Sequence, residues 1–211
     1  MTFDLADLSE LQRDALVEIF NIGVGQAASS MSQIVGEAIG LSVPTVEILH
    51  GDNRADAISK LALSPRICAV SQDFTGSISA RAFLIFPEGK TREIVRRMLG
   101  DSVSTDELSE MEQEALSEIG NIILNSCMSS LSDALQTSFY CSLPTYHLGS
   151  AGDVMSANTA QDEDLLMLCH IDFSMPRAQI NGYLVFLLTL PSFKALIEQV
   201  DQFLSGIIKP S

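Results

Sequence analysis

Two short sets of polar residues have the types and the spacing of a small surface site that occurs twice. Each set has an acidic residue at position i, a glutamate at i+4 and an asparagine at i+7. The sets are Asp14, Glu18 and Asn21, and, 100 residues later, Glu114, Glu118 and Asn121. On an α-helix, residues at these spacings fall within about 60° of one another. The pattern predicts one helix patch of two carboxylates and an amide in each half of the chain.

A purely structural interpretation competes with a functional one. Acidic residues suit the early turns of a helix because of its dipole, and Asn21 before Gly23 could mark a helix end. Asn121, however, precedes an Ile-Ile-Leu run without any stop signal, and asparagine is unfavourable inside a helix. Two copies at identical spacing favour a shared functional or symmetric structural role.

The two sets belong to a longer internal repeat. Residues 8–32 align with residues 108–132 without a gap, and 12 of the 25 aligned positions are identical. Beyond the helix, the sequence LSVPT at 41–45 returns as CSLPT at 141–145. A fixed period seen twice indicates a duplicated unit. We predict one domain over residues 1–211, made of repeats at about 8–100 and 108–206.

Hydrophobic patterning predicts the same order of elements in both halves. In the first half we expect helical structure up to about residue 36, either as one long bent helix or as two helices joined near Gly23 and Gly25, with an apolar stripe that faces the core. The residues of that stripe are Leu11, Ala15, Leu16, Ile19 and Ile22. The alternating segment 41–48 predicts a strand, with Pro44 at its start or on a sheet edge. A short helix is possible at 54–63, a hairpin is predicted at 67–86, and a helix at 90–99 that ends at Gly100.

The second half repeats this order with one insertion. A helix is predicted at 106–135, a strand from about 138, strands at 165–173 and 180–190, and a closing helix at 191–204. The polar segment 149–164 is expected to be a mobile loop. Three strands cannot bury both faces alone, so we expect an α+β fold. Its two pseudo-twofold-related halves, each a helix–strands–helix unit, share one β-sheet with flanking helices.

Composition excludes several classes of partner and site. No apolar segment approaches the ~20 residues that cross a bilayer, and the acidic N-terminus lacks a signal-peptide pattern, so we expect a cytoplasmic protein without membrane insertion. A net charge of −15 disfavours nucleic acid and anionic membranes. The four cysteines lie far apart and are expected to be reduced core residues. The histidines match no ligand spacing, so no metal site is expected.

The motif resembles the signature of the CheC, CheX and FliY phosphatases of bacterial and archaeal chemotaxis. The resemblance rests on Asp14-x3-Glu18-x2-Asn21-x22-Pro44 and on its second copy, which runs from Glu114 to Pro144. Two copies in about 210 residues are most similar to CheC. The second copy departs from the family pattern, because Glu114 stands where the family has Asp or Ser.

The resemblance implies hydrolysis of the aspartyl phosphate on a CheY-type response regulator. The asparagines, Asn21 and Asn121, would enter the regulator's active site and orient the attacking water, and Glu18 and Glu118 would anchor the docked helix. Asp14 and Glu114 would complete the contact surface. The divalent metal would belong to the regulator, so the protein would need no cofactor of its own.

Two other functions remain open at this point. The protein could be an adaptor with little or no turnover that binds a response regulator or, as the family suggests, the CheD deamidase. A structural role in the flagellar switch fits less well. The basic residues Lys90, Arg92, Arg96 and Arg97 are expected to form a solvated helix face rather than a docking surface.

Overall fold

The computed structural model describes residues 8–49, 59, 61, 64–99, 105–158, 165–176 and 178–208. The first helix, α1, spans Glu10–Val35. It begins with a capping box in which Ser9 accepts from the backbone N–H of Gln12 while the Gln12 side chain accepts from the backbone of Ser9. It ends at Gly36, whose φ of 75° is a left-handed value that favours glycine. The predicted helix end is therefore confirmed.

The remaining elements follow in the predicted order, except that a short helix lies in the segment that was expected to be a loop. In the first half they are β1 (Gly40–Leu49), β2 (Ile67–Gly76), β3 (Ala80–Pro87) and α2 (Glu88–Leu99). In the second half they are α3 (Thr105–Leu135), β4 (Phe139–Cys141), β5 (Thr145–Gly149), α4 (Ala151–Asn158), β6 (Leu165–Met175), β7 (Ala178–Leu188) and α5 (Leu190–Ile208).

The strands form one antiparallel sheet in which the two halves exchange their first strands. The order is β1-β6-β7-β3-β2-β4, and β5 also pairs with β2. Thus β1 pairs with β6 of the second half, whereas β4 and β5 pair with β2 of the first half. At the centre β3 pairs with β7, and Leu84 lies opposite Leu184, its own equivalent 100 residues later. The pseudo-twofold axis passes through this pair, which confirms the predicted α+β fold with a shared sheet.

Four helices cover one face of the sheet and a smaller layer covers the other. The larger core joins α1, α2, α3 and α5 to one set of alternating strand residues. The smaller core packs α4 against the opposite set, which includes Phe83, Ile85 and Val185. Such alternation is the expected consequence of side chains pointing to opposite faces of a strand.

Helices α1 and α3 pack directly against each other across the pseudo-twofold axis. A Cβ on Gly23 would lie only 2.7 Å from the Cα of Cys127, so glycine permits the close approach of the two backbones. The Cys127 thiol is fully buried at this contact, and burial raises its pKa to about 12. The thiol is therefore protonated at neutral pH and serves as an apolar packing group.

Three expectations from the sequence are wrong. Residues 151–158 of the expected mobile loop form α4, whose buried face packs on the sheet. Leu11 and Ile22 are half exposed, at 52% and 50%, because they lie within about 40° of Glu18 around the helix rather than over the core. Cys141 is exposed, unlike the other three cysteines. The possible helix at 54–63 lies almost entirely outside the described residues.

None of the helices in the described part of the chain combines the length and the apolar composition that crossing a membrane requires.

Candidate functional site

The two motif sets lie on different helices and at opposite edges of the sheet. The first set is on α1, which packs beside edge strand β1, and the second is on α3, which contacts β2, β4 and β5. Each set shares one helix face, as predicted. The structure does not bring the two sets together, so the molecule carries two separate candidate sites, here called site one (Asp14, Glu18 and Asn21) and site two (Glu114, Glu118 and Asn121).

All four carboxylates of the two sites are exposed. They belong to Asp14, Glu18, Glu114 and Glu118. Within the described residues, none of them forms a hydrogen bond or an ion pair, in contrast to Glu112, which accepts from Thr91 at 2.7 Å. Carboxylates without an internal partner remain available for contacts with another protein. Leu11 and Ile22 border Glu18 and add exposed apolar surface to site one.

The Asn21 side chain is clamped to the backbone. Its Nδ2 donates to the carbonyls of Val17 and Val43, each at 2.9 Å, and its Oδ1 accepts from the N–H of Val43, also at 2.9 Å. Both amide hydrogens are therefore used by backbone carbonyls. Only one lone pair of the carboxamide oxygen remains for any other group.

This clamp has a clear structural cause. The ladder between β1 and β6 is irregular between Ser42 and Thr45, so Val43 is not paired with β6. Pro44 follows and has no N–H to donate. Because unpaired buried backbone groups are destabilising, the Asn21 amide supplies the hydrogen bonds that Val43 would otherwise lack. In this half, the 22-residue spacing between the asparagine and the proline reflects a contact within the fold.

Asn121 has different hydrogen-bond partners. Its Oδ1 accepts from Nε2 of Gln72 at 3.2 Å and from Nδ2 of Asn125 at 2.7 Å. The Val43 equivalent, Leu143, is 86% exposed. Among the described residues, nothing accepts a hydrogen bond from the Asn121 NH2. The amide of site two therefore presents both of its hydrogens outward.

Three differences between the halves produce this result. Gln72 on β2 corresponds to Ile171 on β6, and Asn125 corresponds to Gly25. In addition, Gly120 replaces Phe20, and a Cβ at Gly120 would lie 2.5 Å from the Val70 side chain. The missing side chain lets α3 approach β2 closely enough for Gln72, two residues beyond Val70, to reach Asn121.

The sequence interpretation did not identify Gln72, Asn125 or Gly120. The signal for Asn125 and Gly120 was present, since the gapless alignment pairs them with Gly25 and Phe20. Gln72 could not be found in this way, because it reaches Asn121 only through the strand exchange between halves. Its position requires the sheet topology.

A cavity of about 300 Å³ adjoins site two. It is lined by Phe74, Asn125, Met128, Ser129, Ser132, Phe139 and Cys141. Tyr140 and Leu143, 79% and 86% exposed, lie on the neighbouring segment. Site two is thus bordered by apolar surface.

No cluster of three or more metal-binding side chains occurs within the part of the chain that the structure describes.

Comparison with known proteins defines the class of this duplicated fold. The X-ray structure of Thermotoga maritima FliY superposes with a TM-score of 0.75 over 93% of this chain and 98% of that chain, at 24% sequence identity. Two family models also match: the CheC-like family over residues 11–48, and chemotaxis phosphatase CheX over residues 68–165.

Sequence relatives establish the family. The chain is 30% identical over 154 residues to the CheY-P phosphatase CheC of Bacillus subtilis, covering 71% of this chain and 72% of the relative. It is 25% identical over 166 residues to the flagellar motor switch phosphatase FliY of the same organism, covering 78% of this chain but 43% of that longer protein. The chain belongs to the CheC, CheX and FliY family of chemotaxis phosphatases.

Proposed function

We propose that this protein hydrolyses the aspartyl phosphate of a CheY-type response regulator, and that site two is the principal site of hydrolysis. The observation that carries the proposal is the free NH2 of Asn121 beside an exposed Glu118 on one helix face. The similarity to a CheY-P phosphatase supports the choice of substrate.

The chemistry requires few groups from this chain. An acyl phosphate is already reactive, and phosphoryl transfer depends mainly on positioning and charge neutralisation. The NH2 of Asn121 can donate to the oxygen of a water and leave a second lone pair free to attack phosphorus. A carboxylate in the same place would repel the phosphoryl group, whereas a neutral amide does not.

Glu118 has a docking role in this proposal. It lies one helical turn before Asn121 and is exposed without an internal partner among the described residues. A carboxylate at this distance can contact a donor on the regulator while the amide enters its active site. The divalent cation and other cationic groups would be supplied by the regulator, so each site is completed only by the partner.

The experiment that tests the function is the decay of a phosphorylated CheY-type regulator with and without this protein. We expect faster decay with the wild-type chain and no acceleration with the double variant Asn21→Ala/Asn121→Ala. Circular dichroism and thermal unfolding of the double variant establish that it remains folded. Equal acceleration by the wild-type protein and a folded double variant would refute the roles of the two asparagines.

Site one favours a second role, binding without turnover. The clamp on Asn21 leaves no amide hydrogen for a water, while Glu18, Leu11 and Ile22 still offer a mixed acidic and apolar surface. In this alternative, site one binds a response regulator or the CheD deamidase and contributes little hydrolysis. Titration of each partner against Glu18→Lys and Glu118→Lys distinguishes binding at the two sites.

A further inference from the structure

Two buried or partly buried amides determine which way Asn121 faces. We propose that Gln72 and Asn125 are positioning residues that hold the Asn121 amide with Oδ1 inward and NH2 outward, toward the reacting groups. This inference rests on the proposed function and assigns two further residues to site two. Neither residue would touch the phosphoryl group itself.

The direction of the hydrogen bonds in this cluster is fixed by two backbone carbonyls. The carbonyl of Ser142 can only accept, so the Gln72 group 3.0 Å from it is the NH2, and this nitrogen lies 3.2 Å from Asn121 Oδ1. The backbone carbonyl of Asn121 likewise accepts from Nδ2 of Asn125 at 2.8 Å, and this nitrogen lies 2.7 Å from Oδ1. Both neighbours present donors, so only an inward oxygen satisfies them. The reverse orientation would place three NH2 groups against one another.

The burial of Gln72 indicates that packing alone does not explain this residue. It is 2% exposed, and its own Oε1 is buried without a partner in the described part of the chain. An orphan buried acceptor destabilises a fold. At the equivalent position the first half has Ile171, which is fully buried and carries no polar group. The donor function of Gln72 toward Asn121 and Ser142 accounts for an amide in this place.

The first test replaces Gln72 with an apolar side chain of similar length. We expect Gln72→Met to lower kcat about tenfold and to leave KM within about twofold, because orientation changes while docking does not. The matched control is Ile171→Met, which makes a comparable change at the equivalent buried position beside site one. This control is expected to retain wild-type kcat.

The second test replaces the hydrogen-bond donor of Asn125 with an acceptor. Asn125→Asp keeps the shape of the side chain but replaces a donor with an acceptor, so the Asn121 Oδ1 loses one of the two donors that hold it inward. We expect kcat to fall about tenfold or more at pH 8, and the ratio to wild type to recover at lower pH as the introduced carboxyl becomes a donor. Gly25→Asp, an acid at the equivalent position of α1, is the control and should show no such recovery.

A measurement without regulator separates the positioning role from the activity. Side-chain ¹⁵N relaxation of the full chain, with the Asn121 amide assigned by its loss in Asn121→Ala, reports how rigidly that amide is held. We expect a rigid amide in wild type and a mobile one in Gln72→Met. Equal mobility in the two proteins, or unchanged kcat in both folded variants, would overturn the proposal. If wild type fails to dephosphorylate any regulator, the proposed function fails, and the relaxation data still decide whether Gln72 and Asn125 hold the amide.

Discussion

The two sites share a motif but differ in what their asparagines do. Asn21 is a structural residue that satisfies the backbone of an irregular strand, and Asn121 is an amide held by neighbouring side chains with its NH2 facing out. The difference arises from residues outside the motif, above all Gln72 in place of Ile171. The repeated motif therefore determines the position of each asparagine on its helix. The surrounding residues determine which atoms of its side chain remain free to bind another group. In the proposed function, one copy therefore serves hydrolysis and the other serves folding or binding.

The largest expected effect concerns catalysis at the two asparagines. Asn121→Ala should lower kcat/KM for regulator dephosphorylation about a hundredfold, the scale of losing a group that acts on the transition state. Asn21→Ala should lower it by no more than about threefold, because that amide has no hydrogen left to donate. Single-turnover decay of the phosphorylated regulator measures both. Equal losses from the two variants would contradict the proposed division of roles.

The two single variants should rank in the opposite order when stability is measured, with the larger loss in Asn21→Ala. Asn21→Ala leaves the N–H and C=O of Val43 without their partners and should lower the free energy of unfolding by roughly 1–3 kcal/mol. Asn121→Ala should cost less than about 1 kcal/mol, since Gln72 keeps its bond to Ser142 and Asn125 keeps its bond to the backbone. Urea denaturation of the two variants beside wild type measures the difference. A loss below about 0.5 kcal/mol in Asn21→Ala would show that the clamp on Asn21 is not important for folding.

Much of the fold was predictable from the sequence because the chain contains an internal repeat, whose two copies can be compared with each other. The repeat fixed the register of both helices and indicated that the halves complete one another. The strand exchange, however, depends on which edges meet in space, and nothing in the spacing of LSVPT and CSLPT reveals that each segment pairs with the other half. Helix α4 was not predicted because polar residues dominate the segment 149–164. Its short buried face is formed by Ala151, Val154 and Met155.

The site was predictable only in part for a physical reason. Spacing on a helix places Glu18 with Asn21 and Glu118 with Asn121, because helical geometry is local. The hydrogen-bond state of each amide is set by the distant residues Val43 and Gln72, which local geometry does not reach. The exposed positions of Leu11 and Ile22 were also missed, since an apolar residue beside a polar patch is indistinguishable from a core residue by type alone.

Docking should show a smaller contrast between the two sites. Glu118→Lys reverses an exposed charge one turn from Asn121 and should weaken binding of the phosphorylated regulator about tenfold, mainly by unfavourable contact charge. Glu18→Lys should reduce turnover much less, although it should weaken any partner that binds only site one. Isothermal titration with a stable phosphoryl analogue on the regulator gives the affinities. If Glu118→Lys binds as well as wild type, Glu118 is not part of the docking surface.

The smallest expected effect concerns Cys141, which was expected in the core but is exposed in the structure. Burial raises the pKa of Cys68, Cys127 and Cys169, so at pH 8 these thiols stay protonated and inaccessible. Cys141 is exposed and lines the cavity that adjoins site two. We therefore expect a bulky maleimide to label one thiol per native chain and to lower dephosphorylation about threefold by obstructing the approach to Asn121.

The control for this labelling experiment lies at the equivalent position of the other half. In the double variant Leu41→Cys/Cys141→Ser, the same label is attached near site one instead of site two. Mass spectrometry confirms the labelled position, and the unlabelled double variant provides the reference rate. Under the proposal that site one contributes little hydrolysis, this labelled protein should keep nearly its full rate. An equal loss from labels at positions 41 and 141 would mean that both edges of the sheet serve catalysis, and that the clamp on Asn21 opens when a regulator docks.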